Sequence, residues 1–268
     1  MHKLSFWAMA LLATLLVVPA CHNHDDDDDV IKGFGSVEIE FDNRAGDESL
    51  IFGKNYTNEA GESLQFSLFN YYISNVVLIK DDGTRFVVPQ DKSYFLCKHD
   101  NADTREIKID DVPAGDYTGL EFIVGVDSAK SVSPVSERPG VLDPADGANG
   151  HYWSWNAGYI FMKMEGTSPA STLADNIFQY HIGLFGGYSN PTLNNLKTIK
   201  LSVPGSAAKV REGKGAPHFH LYVDALEVFK SPNVLSIAAN PAVHGNPFSA
   251  NIAANYADMF SIDHVHNH

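Results

Sequence analysis

From residue 36 onward the chain is a succession of short apolar or alternating segments cut by Gly, Pro, Asn and Asp, with no helical stripe of any length. A period of two sends successive side chains to opposite faces of a strand, so such segments build sheets with one face in a core. Ser36-Val-Glu-Ile-Glu-Phe41 alternates strictly. Gln65 to Ser74, Asn75 to Lys80, Lys92 to Cys97, Arg105 to Ile109 and Tyr117 to Val126 follow. The second half offers Gly158 to Met164, Ile177 to Leu184, Leu196 to Val203 and Phe219 to Phe229. Asp81-Asp82-Gly83 is a strong turn signal between Leu78-Ile79 and Phe86-Val87-Val88. Strands at near-even spacing with turns between them predict an all-β fold, an antiparallel β-sandwich. One short helix is expected near the C-terminus, from Ala250 to Phe260. A long Gly/Pro-rich loop runs between Asp127 and Tyr152. Long loops inside compact domains are often functional.

The start of the chain carries a different signal. Met1-His2-Lys3, an apolar run from Leu4 to Val18 and then Pro19-Ala20-Cys21 describe a secretory signal peptide over residues 1–20. The run is too short to favour a permanent membrane span. Val18-Pro19-Ala20-Cys21 resembles a bacterial lipobox, in which the Cys becomes the lipidated first residue. Residues 21–32, with His22-Asn23-His24 and the acidic run Asp25 to Asp29, read as a solvated, lipidated acidic tether. Acidic residues after the lipid Cys resemble the surface-export signal of Bacteroidetes lipoproteins, implying an outer membrane lipoprotein exposed at the surface. Residues 33–268 then form a single domain, a normal length for a large sandwich. The net charge of −14 and the sparse Lys and Arg argue against nucleic acid. After Cys21 only Cys97 remains, so the domain has no internal disulfide, and Cys97 is expected to pack as a small hydrophobe.

Histidine carries the most chemistry. Of the 12 histidines, His218-Phe219-His220 and His264-Val265-His266 have the H-x-H spacing that puts two imidazoles on one face of a strand. Paired imidazoles suit copper and zinc. A further ligand is available from His181 in the strand-like Phe178-Gln-Tyr-His-Ile182. The stretch His151-Tyr-Trp-Ser-Trp-Asn-Ala-Gly-Tyr159 holds Trp153 and Trp155, which read either as packing aromatics or as a ligand-binding or redox-active pair. There is no G-x-S-x-G, P-loop or H-E-x-x-H, so the chain is not expected to be an enzyme.

Several of these stretches together resemble the MbnP-like family. They are Tyr71-Tyr-Ile-Ser-Asn75, Val112-Pro-Ala-Gly115 with Gly125-Val-Asp127, and Leu142-Asp-Pro144 leading to Trp153-Ser-Trp-Asn-Ala-Gly-Tyr159. Lys163-Met-Glu-Gly166, Tyr180-His-Ile-Gly183 and the ending from Asn255 to Asn267 extend the resemblance over nearly the whole mature chain. The resemblance implies a β-sandwich copper-binding lipoprotein of the bacterial cell envelope. It also implies a di-haem cytochrome c peroxidase-like partner that oxidises a Trp, here Trp153 or Trp155, to kynurenine. Copper ligands would then come from His181, His218, His220, His264 and His266. His151 departs from the pattern, standing where an apolar residue is expected. The alternative is a surface module that binds a glycan or protein ligand without metal.

Overall fold

A computed structural model describes residues 31–268, apart from Trp155 and the side chains of Asp146 and Gly147. Cys21, the expected lipid site, and Trp155 lie outside the described residues. In chain order the strands of the first half are β1 (Phe34–Ala45), β2 (Glu48–Ser49), β3 (Tyr56–Thr57), β4 (Ser63–Lys80), β5 (Arg85–Val87), β6 (Tyr94–Lys98), β7 (Glu106–Pro113) and β8 (Gly115–Val124). Those of the second half are β9 (Tyr152–Trp153), β10 (Gly158–Thr167), β11 (Ile177–Gly183), β12 (Lys197–Ser202), β13 (Ala208–Val210), β14 (His218–Asp224), β15 (Ala242–His244) and β16 (Phe260–His266).

The fold is the expected all-β sandwich with a short C-terminal helix. The smaller sheet runs β16-β14-β1, with β2 and β7 both on β1. The larger follows β12-β8-β4-β10-β11-β15, with β13 on β8, β9 on β10 and β3, β5 and β6 on β4. Two pairings, β1 with β14 and β11 with β15, are parallel. Alternation specifies which face is buried but not strand direction, so these pairs are invisible in the pattern.

Between the sheets, alternate residues interlock. Phe41 packs edge-on against Tyr71, Phe122 and Phe260, with centroids 5.8–6.4 Å apart. Phe219, Leu221 and Val223 of β14 are fully buried beside them. Each such side chain contributes about 1.5–3 kcal/mol relative to exposure, which outweighs any single surface contact in the molecule.

The two segments expected over Gln65 to Lys80 are one strand, β4, continuous through Asn75. Asn75 takes a positive φ of 53°, which Asn tolerates better than most residues, and the register with β8 shifts there. Phe69 to Ser74 is buried without alternation, because both faces of β4 are covered. The outer cover is the 127–152 stretch. It is not structureless: it opens with a short helix, Ser128–Val132, and continues in single turns. Its carbonyls accept from the tyrosines beneath it, Tyr72 to Val141 O at 2.6 Å and Tyr159 to Leu142 O at 2.5 Å. Leu142 and Ala148 join Tyr72, Tyr159 and Phe161 in a second small core.

Other elements differ in extent. The C-terminal helix is Ser249–Tyr256, not Ala250 to Phe260, because Phe260 starts β16 and enters the main core. The segment expected as a strand to Phe229 ends at Asp224, whose carboxylate caps a turn by accepting from Leu226 N. Cys97 is fully buried, as expected, and burial pushes its thiol pKa far up.

Candidate metal centres

The outer face of the smaller sheet carries a histidine ladder. β14 alternates, with Phe219, Leu221 and Val223 inward and His218, His220 and Tyr222 outward. β16 lies antiparallel beside it, so His218 faces His266 and His220 faces His264. The His220 and His264 rings are 5.0 Å apart. The register then slips, and Leu221 pairs with Ile262, leaving Asp263 as the extra residue of a bulge. A bulge re-aims a side chain that alternation would send to the other face. Asp263 Oδ2 lies 2.8 Å from His264 Nδ1 and 3.3 Å from His220 Nδ1. The His264 bond, then one from Tyr222, hold the Asp263 carboxyl below the usual carboxylate range. On the other side, in β1, Glu40 is 3.6 Å from His218 Nε2 and 3.8 Å from His220 Nε2. The end of the chain is not frayed: Asn267 accepts from Lys209 N at 2.7 Å and donates to Ala207 O at 3.1 Å.

His181 is not part of that ladder. It projects from β11 in the larger sheet, between Lys163 of β10 and His244 of β15. Its ring is 4.5 Å from that of His244. Its Nε2 is 2.6 Å from Glu165 Oε1. Burial pulls the pKa of His181 down, the Glu165 bond working against it, and burial also lowers that of His244. Both shifts favour the neutral ring, the form that ligates metal.

Trp153 comes to the same patch. β9 pairs with β10 so that Trp153 faces Gly158. Its indole covers Gly183, where an added Cβ would lie 3.0 Å from Trp153 Cζ3 and 2.4 Å from Tyr159 O. Gly183 and His181 are two residues apart on β11, hence on one face. Trp153 is half-buried.

These parts fall in a region with known relatives. Residues 34–246 match the MbnP family. The chain belongs to that family. Its fold is similar to that of MbnP from Methylosinus trichosporium, with a TM-score of 0.55 at 16% identity, covering 80% of this chain and 82% of that one. No curated protein sequence matches the chain. Trp153, His181 and His244 all lie inside the MbnP match, whereas His264 and His266 lie beyond its end.

Within the MbnP region, His151 fits neither a plain core role nor a surface one. It is only 2% exposed, and its Nδ1 lies 3.1 Å from Asn149 O. Its Nε2 is buried with no partner among the described residues. Burial pulls its pKa down to about 4, with a lesser effect from the nearby charges of Lys163, Lys98 and His181. The patch thus offers two imidazoles biased towards the neutral form, with the buried ring of His151 nearby. Glu165 against His181 Nε2 is the carboxylate–imidazole pairing that orients a metal-ligating ring, leaving Nδ1 for the ion. His181 and His244, their rings 4.5 Å apart, are the pair that fits a copper ion here, while His151 is not grouped with them: among the described residues three ligand atoms come within 4.8 Å of one another only at His220, Asp263 and His264. His244 escaped the sequence reading, being a lone histidine in Pro241-Ala-Val-His244 without an H-x-H partner. Only the parallel pairing of β15 with β11 brings it in.

Proposed function

We propose that the chain is an exported lipoprotein that binds copper at the His181–His244 patch and turns over no substrate of its own. The observation that supports this best is the convergence of Trp153, over Gly183, with His181 and its close neighbour His244. The copper ion would be bound by neutral imidazoles, a donor type that suits it. In the same reading, a di-haem cytochrome c peroxidase-like partner supplies the oxidant that converts Trp153 to kynurenine, adding a donor beside His181. In this reading the lipid on Cys21 holds the domain in the cell envelope, at the outer membrane.

A copper(I) competition titration of the full chain tests the copper claim. One tightly held equivalent is expected, lost in His181→Ala with His244→Ala. Retention of that equivalent by the double variant refutes this assignment. Mass spectrometry of Trp153 from the native host tests the maturation step, which unmodified Trp153 in copper-loaded protein would contradict.

A second reading, a module that binds a glycan or protein surface without metal, rests on one feature. Tyr152, Ser154, Asn156 and Tyr188 line a cleft of about 370 Å³, with Tyr188 half exposed. Glycan binding that survives loss of His181 and His244 would favour it.

A further inference from the structure

We propose that the ladder on the smaller sheet is a second metal site, built for a divalent transition-metal ion of the zinc or copper(II) kind and held by His220, Asp263 and His264. It does not rest on the copper reading of the His181 patch, and it sits in a different sheet. One potential ligand atom from each of the three residues lies within 4.8 Å of the other two. Ligands about 2.0–2.2 Å from a common ion stand roughly 3–4 Å apart, so small side-chain rotations close the site.

The backbone is arranged to make it. An unbroken antiparallel ladder would turn Asp263 away from His264. The bulge between His220 and Leu221 adds one residue to β16 and brings the carboxylate onto the imidazole face. The other nitrogen of His220 faces two carboxylates beyond hydrogen-bond distance: its Nε2 is 3.8 Å from Glu40 and 3.9 Å from Asp42. Tyr222, two residues along β14 on the same face, sets its ring edge-on against that of His220, 5.2 Å away. His218 and His266, paired on the next rung, extend the imidazole row.

The donor set separates this site from the first. Two imidazoles with one anionic oxygen favour a divalent ion, whereas the His181 patch presents imidazoles with its carboxylate already engaged by His181 Nε2. The ladder joins His220 of β14, inside the MbnP match, to Asp263 and His264 of β16, beyond its end.

Calorimetric titration of the full chain with zinc chloride, followed by zinc-edge X-ray absorption, tests the proposal. An equivalent of zinc should bind with mixed nitrogen and oxygen ligation, persist in His181→Ala with His244→Ala, and vanish in His220→Ala with His264→Ala. Asp263→Asn, which removes the anionic donor, should weaken it about 10-fold. The substituted side chains lie at the surface, so thermal midpoints should not move. If that of the double histidine variant falls, Asp263→Asn alone decides. Absence of zinc binding in the wild type leaves only an Asp–His hydrogen-bond cluster and overturns the proposal. Unchanged binding in both the double histidine variant and Asp263→Asn does the same.

Discussion

His181 and His244 stand directly opposite each other on a parallel strand pair, their rings 4.5 Å apart, while Glu165 grips the far nitrogen of His181 at 2.6 Å. The carboxylate sets which nitrogen of His181 faces the open side of the pair. Glu165→Gln keeps the shape but removes the charge. It should weaken copper(I) binding roughly 10–100-fold, as loss of an orienting partner does, without removing the site. Competition titration measures this, and an unchanged affinity would mean that Glu165 plays no part in orienting the ring.

Gly183 is small because Trp153 and the Tyr159 carbonyl occupy the space a side chain would need. Gly183→Ala forces one of them to move and should cost about 1–3 kcal/mol of stability. The indole is the softer neighbour, so tryptophan fluorescence should shift in the same variant. A native spectrum and midpoint would show that the indole does not pack on Gly183.

His151 makes stability depend on pH. Its folded pKa of about 4 lies below its ordinary value of 6.5, because the buried ring resists charging. Between those values the unfolded chain binds more protons than the folded one, so stability is full above about pH 6.5 and falls as pH drops towards 4. In metal-free protein, His151→Phe should remove this component, worth roughly 2 kcal/mol between pH 7 and pH 4.5. Urea unfolding at both pH values checks it; parallel losses in wild type and variant would contradict it.

Asp127 fastens the 127–152 cover to the larger sheet. Its carboxylate accepts from Tyr94 at 2.5 Å, from Asn75 at 3.0 Å and from Lys130 N at 3.0 Å. Burial pushes its pKa up, but these bonds outweigh it and leave the carboxyl below the usual range. Asp127→Ala removes the acceptor of two half-buried donors and a helix cap, and should cost about 1–3 kcal/mol. Hydrogen exchange should quicken across residues 127–152 and leave β14 and β16 unchanged. Equal exchange in the cover would show that other contacts hold it.

Much of this could be read from the chain. Strict alternation in Ser36 to Phe41 marked a half-buried strand, and β1 is that strand. Asp81-Asp82-Gly83 makes the turn it signals: Gly83 N donates to Lys80 O at 3.0 Å and Thr84 N to Asp82 at 2.8 Å. H-x-H spacing placed His218 with His220 on one face. What stayed hidden depends on pairing between distant strands. His181 was grouped with the ladder because spacing does not tell one sheet from another. The bulge at Asp263 is a property of two strands together, and no single segment displays it. The fusion of two segments through Asn75 was missed for a local reason, since an Asn between apolar runs reads as a break whether the chain turns or only bulges.

Copper, in the proposed function, sits between His181 and His244, beside Trp153. Anomalous diffraction at the copper edge, from crystals of the full chain loaded with copper(I), tests it most directly. A strong peak bonded to His181 and His244 is expected, and it should disappear in the His181→Ala, His244→Ala variant. A peak confined to the His220–His264 ladder, or none at either place, would contradict it.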